Sequence, residues 1–159
     1  MTTLATIGYE GSALEDFTAT LKAAGVSTLL DIREAPVSRR PGFSKRQLAT
    51  ALEEAGIAYL HLRGLGNPKE GRDAAKAGEI ETYLAVFTEH MRSKPAQADL
   101  DRAAGYAGEG GACLMCYERD HRRCHRDIVS GLLAERTGVT LRHLTARAGL
   151  SAQPAGFDF

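Results

Sequence analysis

The stretch that decides the fold is residues 3–32, TLATIGYEGSALEDFTATLKAAGVSTLLDI. Residues 3–9 are mostly apolar and lead into a turn at Tyr9–Gly11, which predicts a buried strand. Apolar residues then recur at helical spacing from Leu14 to Leu21, and Ser12 is placed to cap that helix. Gly25 ends the helix, and residues 26–32 are a short apolar run that suits a strand buried on both faces. The stretch therefore predicts a strand–helix–strand unit.

The same alternation continues along the rest of the chain. Further strands are predicted over residues 57–62, 112–115 and 139–144, and further helices after Ser44 and over residues 80–91, 97–106 and 128–133. Such alternation is typical of an α/β protein. We expect three layers, with a mostly parallel sheet of about five strands and helices on both faces.

Length and composition place the chain among ordinary globular proteins. Its 159 residues suit one domain, predicted over residues 1–145, with a partly mobile tail over residues 146–159. Residues 63–78 contain several glycines and one proline, which predicts a loop that could act as a lid.

Charge and cysteine content restrict the function. The formal net charge is zero, the sequence has no long apolar run, and its first residues are not expected to act as a signal peptide, so no membrane partner is expected. The cysteine count of three is odd, which favours free thiols in a reducing cytoplasm over a disulfide framework.

In open parallel sheets, ligands bind outside the carboxyl ends of the strands. This rule selects three segments, namely Tyr9-Glu10-Gly11, Asp31-Ile32-Arg33 and Cys116-Tyr117-Glu118. We therefore expect one polar site at that edge of the sheet.

The densest polar segment runs from Cys113 to Arg126, from a strand end into a helix start. A helix N-terminus and nearby arginines lower the pKa of a thiol, so Cys116 and Cys124 are predicted to be reactive thiolates. His125 is placed to shuttle a proton, and Glu118 to orient it or act as a base. Cys113 lies inside the strand and is predicted to be a packed hydrophobic residue.

A metal site in this segment is an alternative. Cys113 and Cys116 have a zinc-ligand spacing, and Cys124 with His125 would complete four ligands. However, residues three apart on a strand face opposite sides, and neighbours on a helix diverge. No cofactor is therefore predicted, and a metal stays an alternative. The phosphatase-like spacing from Cys116 to Arg122 is also a poor match, because the intervening residues are bulky.

Basic residues cluster after the second strand and near the last cysteine, and they could form a basic mouth for phosphate or a nucleic-acid backbone. The predicted catalytic residues are Cys116, Glu118, Cys124, His125 and Asp31, and the predicted substrate-binding residues are Tyr9, Glu10, Arg33, Ser38, Arg39, Arg40 and Arg126.

Four motifs together resemble the family called domain of unknown function 488. They are Thr6–Gly11, Asp31–Arg33 with Pro36, Ser38 and Pro41–Ser44, Gly56–His61 with Leu65-Gly66, and Cys116–Glu118 with Cys124–Arg126. The resemblance implies a small three-layer α/β domain, mostly bacterial and archaeal, with no agreed activity. It also implies that family members share a set of residues, which here are Asp31, Arg33, Cys116, Glu118, Cys124, His125 and Arg126. The chain departs from the family where His121 replaces a frequent proline.

Three functions fit these patterns. The first is an enzyme acting on a phosphate-bearing substrate, a nucleotide or nucleic acid, with a cysteine as nucleophile or redox thiol. The second is a non-catalytic module that binds nucleic acid or another anion. The third is a metal or redox sensor that uses Cys116, Cys124 and His125.

Overall fold

Strands and helices alternate through residues 2–153, which are the residues described by a computed structural model of the chain. The strands are β1 (Thr3–Gly8), β2 (Thr28–Asp31), β3 (Ala58–His61), β4 (Ala112–Cys116) and β5 (Thr140–Thr145). The α-helices are α1 (Leu14–Ala23), α2 (Lys45–Glu54), α3 (Lys69–Lys76), α4 (Ile80–Met91), α5 (Lys94–Glu109) and α6 (His125–Thr137). Short 3-10 turns cover Arg63–Leu65, His121–Arg123 and Leu150–Ala152.

The strands form one sheet in the order β3-β2-β4-β1-β5, and every strand pair in the described residues is parallel. The predicted three-layer α/β fold with a sheet of about five strands is confirmed.

Alternation along β4 divides the core into two layers. Cys113 and Met115 pack with the buried side chains of α1 and α2. Leu114 and Cys116 pack with those of α4, α5 and α6 on the opposite face. Burial of each leucine or phenylalanine side chain stabilises the folded state by about 1.5–3 kcal/mol. A shift of one residue in the register of a strand would move its apolar side chains to the opposite face and lose this stabilisation. The two apolar layers therefore fix the register of the sheet.

The order of the strands predicts a ligand-binding crevice at their carboxyl ends. The chain leaves β1 through α1 towards β2, whereas it leaves the neighbouring β4 through α6 towards β5 on the other side of β1. Connections that depart in opposite directions from adjacent strands leave such a crevice. At this edge Gly8 is the register partner of Cys116, and Asp31 is the partner of Met115.

Two local predictions are wrong. Ser12 does not cap α1; Ala13 is the N-cap residue, and Ser12 belongs to the turn after β1, where its N–H donates to Tyr9 O. Residues 63–78 are not simply a loop, because they contain a 3-10 turn and α3. Helix α3 buries only the small residues Gly71 and Ala74, so it lacks the large apolar periodicity that would have revealed it.

The predicted mobile tail lies partly outside the described residues, since residues 154–159 are not among them. The part that is described is tied to α1. Arg147 N–H donates to Thr20 Oγ1 at 2.9 Å, and the N–H groups of Gly149 and Ser151 donate to the Asp16 carboxylate at 2.9 and 3.0 Å. Over residues 2–153, none of the helices combines the length and the apolar character needed to cross a membrane.

Candidate functional site

Backbone hydrogen bonds continue past the strand ends and hold the polar segments side by side. Glu10 N–H donates to Tyr117 O at 2.8 Å, and Ile32 N–H donates to Met115 O at 3.1 Å. The structure thus brings together the three strand-end segments selected from the sequence, and the N-terminus of α6 joins them.

Gly8 is required for this arrangement. A Cβ atom at this position would lie 1.7 Å from Glu118 O and 2.7 Å from a terminal nitrogen of Arg126. Any larger residue would therefore displace the segment after β4 from β1.

Cys116 at the end of β4 and Cys124 at the N-cap of α6 are joined by a disulfide. The expectation of free thiols at these two positions is thus corrected. Strand alternation turns the Cys116 side chain towards the face that α6 covers, so the two sulfurs meet. Cys113 is free, buried and on the opposite face, and burial raises its pKa.

Arg126 contacts both sulfurs. A terminal guanidinium nitrogen lies 3.2 Å from Cys116 Sγ, and the backbone N–H donates to Cys124 Sγ at 3.3 Å. The same guanidinium nitrogen donates to Glu118 O at 2.8 Å.

The Arg126 side chain is completely buried, with 0% of its surface exposed. Burial lowers the pKa of its guanidinium, and its Nε has no hydrogen-bond partner. Within residues 2–153 it forms no ion pair with a carboxylate. A buried cation without a carboxylate is costly, which marks this position as unusual.

His125 faces Cys124 with an unprotonated nitrogen. Its Nε2 lies 2.7 Å from Ile32 O, and since a carbonyl only accepts, Nε2 carries the hydrogen. Burial lowers the pKa of this buried ring to about 4, so it is neutral at pH 7. Nδ1, with its lone pair, lies 3.5 Å from Cys124 Sγ.

The expectation that Cys124 and His125 diverge is therefore wrong. It assumed that both residues lie on a helix, whereas Cys124 is the N-cap residue, with extended backbone angles φ −131° and ψ 148°. The extended N-cap directs its side chain back to the ring of the first helical residue.

The Glu118 side chain lies next to the sulfur of Cys116. Its Oε2 lies 3.7 Å from Cys116 Sγ, and partial burial raises the pKa of its carboxyl. Burial and then the charge of Glu118 raise the pKa of Tyr83 to about 12. The Glu118 carboxylate is thus near the Cys116 sulfur and acts electrostatically on Tyr83 of α4.

Asp31 and Arg33 form a buried ion pair on the opposite face of the sheet from the two sulfurs, because Asp31 is the register partner of Met115 and shares its face. The Arg33 guanidinium donates to the Asp31 carboxylate at 2.8 Å and to Phe43 O at 2.7 Å. Tyr59 donates its hydroxyl hydrogen to the same carboxylate at 2.6 Å. Burial favours a lower pKa for Arg33, but hydrogen bonds and the charge of Asp31 outweigh it and raise the pKa.

The other predicted binding residues surround this core. Tyr9 stacks on Phe43 with ring centroids 4.6 Å apart, and a Glu10 carboxylate oxygen accepts the N–H of Arg119 at 3.0 Å. Arg39 is exposed, Arg40 donates to Ser12 O, and Ser38 Oγ accepts the N–H of Arg40. In the described chain, no hydrogen bond links Ser38, Arg39 or Arg40 to either bonded cysteine.

The family described as domain of unknown function DUF488 matches residues 13–133. The chain belongs to this family. The match includes the Asp31–Arg33 pair and both bonded cysteines of this DUF488 member, whereas Tyr9 and Glu10 precede it. No curated protein and no solved structure matched the chain.

In this DUF488 member, sequence reasoning missed two contributors to the site. His61 is the register partner of Asp31, and Tyr59 lies two residues before His61 on the same strand. Because side chains two residues apart on a strand share a face, alternation was the signal that Tyr59 lies on the same face as Asp31. Phe87 packs its ring against His125 at 5.5 Å, and no local pattern connected these residues.

A second polar cluster lies at the start of α6. His121 Nδ1 is 2.7 Å from an Asp127 carboxylate oxygen, and its ring stacks on His143 with centroids 3.5 Å apart. The Nδ1 of His143 is 2.6 Å from Thr6 Oγ1. His143 had no supporting context in the sequence, because its partners come from β1 and from the turn before α6.

Proposed function

We propose that Cys116 and Cys124 form a thiol–disulfide redox centre, which exchanges two electrons with a thiol substrate. The observation that carries the proposal is the contact of one buried arginine, Arg126, with both sulfurs of a disulfide. This develops the sensor hypothesis from the sequence and assigns it a reaction.

The reaction is an exchange between sulfurs. The thiolate of a substrate attacks Cys124 Sγ, which is less deeply buried than Cys116. A bond forms between the substrate sulfur and Cys124, the Cys116–Cys124 bond breaks, and Cys116 leaves as a thiolate. A second substrate thiolate then attacks the mixed disulfide, which releases an oxidised substrate disulfide and leaves two reduced cysteines.

Arg126 supports the departure of Cys116. A guanidinium 3.2 Å from the sulfur stabilises negative charge there, and a thiolate with a lower pKa leaves faster. Such a thiolate would also give the buried Arg126 a negative partner in direct contact, whereas the carboxylates of Glu118, Asp120 and Asp127 act on its charge from beyond ion-pair distance.

His125 acts as the hydrogen-bond acceptor and base for the thiol of Cys124. Its Nδ1 faces Cys124 Sγ and accepts the thiol hydrogen after reduction, while Nε2 stays bonded to Ile32 O. When the reduced pair is oxidised again, the same nitrogen removes that proton from the attacking thiol.

The test is a thiol count with glutathione as the substrate. Protein denatured in an excess of alkylating agent should take up one label before treatment, and three labels after it has been reduced with excess glutathione and the glutathione has been removed. The Cys116→Ser variant, treated with oxidised glutathione, should form a glutathione adduct on Cys124 with release of one reduced glutathione. Cys113→Ala is the matched control that keeps the exchange. Three free thiols before treatment, or failure of Cys124 to form an adduct in folded Cys116→Ser protein, would refute the proposal.

A phosphate-bearing ligand, such as a nucleotide or nucleic acid, is a second candidate. It is favoured by the exposed Arg119, whose guanidinium lies 4.0 Å from the position of a Cβ on Gly11 in the turn after β1. The donors of Arg33 are already used by protein acceptors, so Arg39 and Arg119 would contact the phosphate. Binding of a fluorescent oligonucleotide should fall in Arg119→Ala but not in Arg142→Ala, an exposed arginine on β5, and equal affinity in both would exclude this role.

A further inference from the structure

The reactive cysteines have a third potential ligand for a metal nearby. Cys116 Sγ, Cys124 Sγ and a carboxylate oxygen of Glu118 all lie within 4.8 Å of one another. His125 Nδ1 is 3.5 Å from Cys124 Sγ, and Glu118 Oε2 is 3.7 Å from Cys116 Sγ. Ligand atoms around a tetrahedral zinc ion are about 3.3–3.8 Å apart, given its bond lengths to sulfur and nitrogen. Two of the required separations are therefore already present.

The hydrogen bonding of His125 is that of a metal-ligating histidine. Such a residue donates its second ring N–H to a carboxylate or a backbone carbonyl, which fixes the tautomer and aims the other nitrogen at the metal. Nε2 of His125 donates to Ile32 O, which leaves the lone pair of Nδ1 facing the sulfur.

The charges around the site also balance. Two thiolates and the Glu118 carboxylate carry three negative charges, which a divalent cation and the Arg126 guanidinium neutralise together. Arg126 is completely buried and has no carboxylate partner in residues 2–153, so the reduced, metal-bound site would supply its counter-charge. N–H groups of Arg126 already point at both sulfurs.

We propose that the reduced site binds a thiophilic divalent cation of the zinc class through Cys116, Cys124, His125 and Glu118. This inference rests on the proposed redox function, because the disulfide must first be reduced. Binding replaces the two thiol protons with the cation. A peroxide reverses it: the two thiolates give two electrons to the peroxide, which becomes two hydroxide ions, while the disulfide forms and the cation is released.

The experiment uses the full chain, reduced with a phosphine, separated from the reductant without oxygen and titrated with zinc chloride against a chromophoric chelator. We expect one zinc per reduced chain and none per oxidised chain. Cobalt chloride should give thiolate-to-metal absorption together with the visible bands of tetrahedral cobalt. Hydrogen peroxide should release the zinc as the thiols disappear.

Variants locate the site. Glu118→Gln and His125→Gln should each weaken zinc binding at least tenfold, whereas the controls Cys113→Ala and His143→Ala should bind as the wild type does. The His143 control separates this site from the His121–Asp127–His143 cluster.

The two proposals fail in different ways. If reduction yields no new thiols, the redox function itself is refuted. If reduction yields both thiols but zinc does not bind, or if binding is lost in His143→Ala and kept in His125→Gln, only the metal proposal is refuted. Since oxidised wild-type protein is already folded, it serves as the non-binding reference even if a variant does not fold.

Discussion

Two arginines are buried at the same edge of the sheet, and their partners differ. Arg33 meets a carboxylate, a carbonyl and a tyrosine hydroxyl, so its charge and donors are matched within the protein. Arg126 meets sulfur atoms and carbonyls, keeps an unpartnered Nε, and has no ion pair within residues 2–153.

The difference between the partners of Arg33 and Arg126 indicates different roles for the two arginines. In the Asp31–Arg33 ion pair the two charges neutralise each other. The pair therefore holds the ends of β2 and β3 together and attracts a charged ligand only weakly. A buried guanidinium with no carboxylate at ion-pair distance is tolerated where an anion forms in contact with it during function. For this reason we propose the redox chemistry at the sulfurs beside Arg126 and not at the Asp31–Arg33 pair.

The largest effect is expected from breaking the matched pair. Asp31→Asn leaves the Arg33 charge buried without its carboxylate, so the free energy of unfolding should fall by about 3–5 kcal/mol. Urea unfolding followed by circular dichroism measures this loss. The control is Asp101→Asn, which removes the exposed partner of Arg136 and should cost less than about 1 kcal/mol. Equal losses in the two variants would show that the buried pair is not special.

A smaller effect should come from the histidine on the Arg126 side. Burial lowers the pKa of His125 from 6.5 to about 4, so between these pH values the unfolded chain binds a proton that the folded chain does not. Stability from this source is complete above pH 6.5 and is lost as the pH falls towards 4, with about 2 kcal/mol lost at pH 5.

Urea unfolding of the oxidised protein in chelator, at pH 7.5 and pH 5, measures this dependence. His125→Gln keeps a donor for Ile32 O but does not titrate, so its stability should change about 2 kcal/mol less between the two pH values. An unchanged pH dependence in this variant would assign the acid sensitivity to another group.

The smallest change in stability should follow removal of the unmatched charge. Arg126→Met replaces a buried cation with an apolar side chain of similar length, so we expect a loss of less than about 2 kcal/mol. Arg33→Met is the matched comparison and should lose about 3–5 kcal/mol, because Asp31 is left unpaired.

The same variant should nevertheless slow reduction of the disulfide. Without the guanidinium, the Cys116 thiolate is a poorer leaving group, and reduction by dithiothreitol at pH 7 should be about tenfold slower, or about 1.4 kcal/mol in activation free energy. If Arg126→Met is reduced as fast as the wild type, Arg126 has only a packing role.

The sequence predicted the fold well where large apolar residues set the period. Residues 3–32 contain a strand, a helix and a second strand as expected, although β2 is shorter than the apolar run that predicted it. Helix α3 was not predicted, because its only buried residues are the small Gly71 and Ala74, which give no apolar periodicity in the sequence.

The candidate site was predicted less completely. The strand-end rule selected Asp31 and Cys116, and the structure places both at one edge of the sheet. The bond between Cys116 and Cys124 was not predicted. Cys116 ends a strand, Cys124 directly precedes a helix, and a 3-10 turn lies between them, so neither strand nor helix periodicity relates the directions of the two side chains. The contact between Tyr59 and Asp31 likewise depends on the pairing of β2 with β3.

The sequence by itself determined the alternation of strands and helices, the parallel sheet and the edge where its polar residues gather. These follow from local periodicity and from the general geometry of parallel sheets. Only the tertiary structure decided which sulfurs meet, which arginine has a carboxylate and which nitrogen of His125 faces Cys124. Those outcomes depend on atoms brought together from β2, β4 and α6 at distances of a few ångströms, which residue spacing along one chain does not specify.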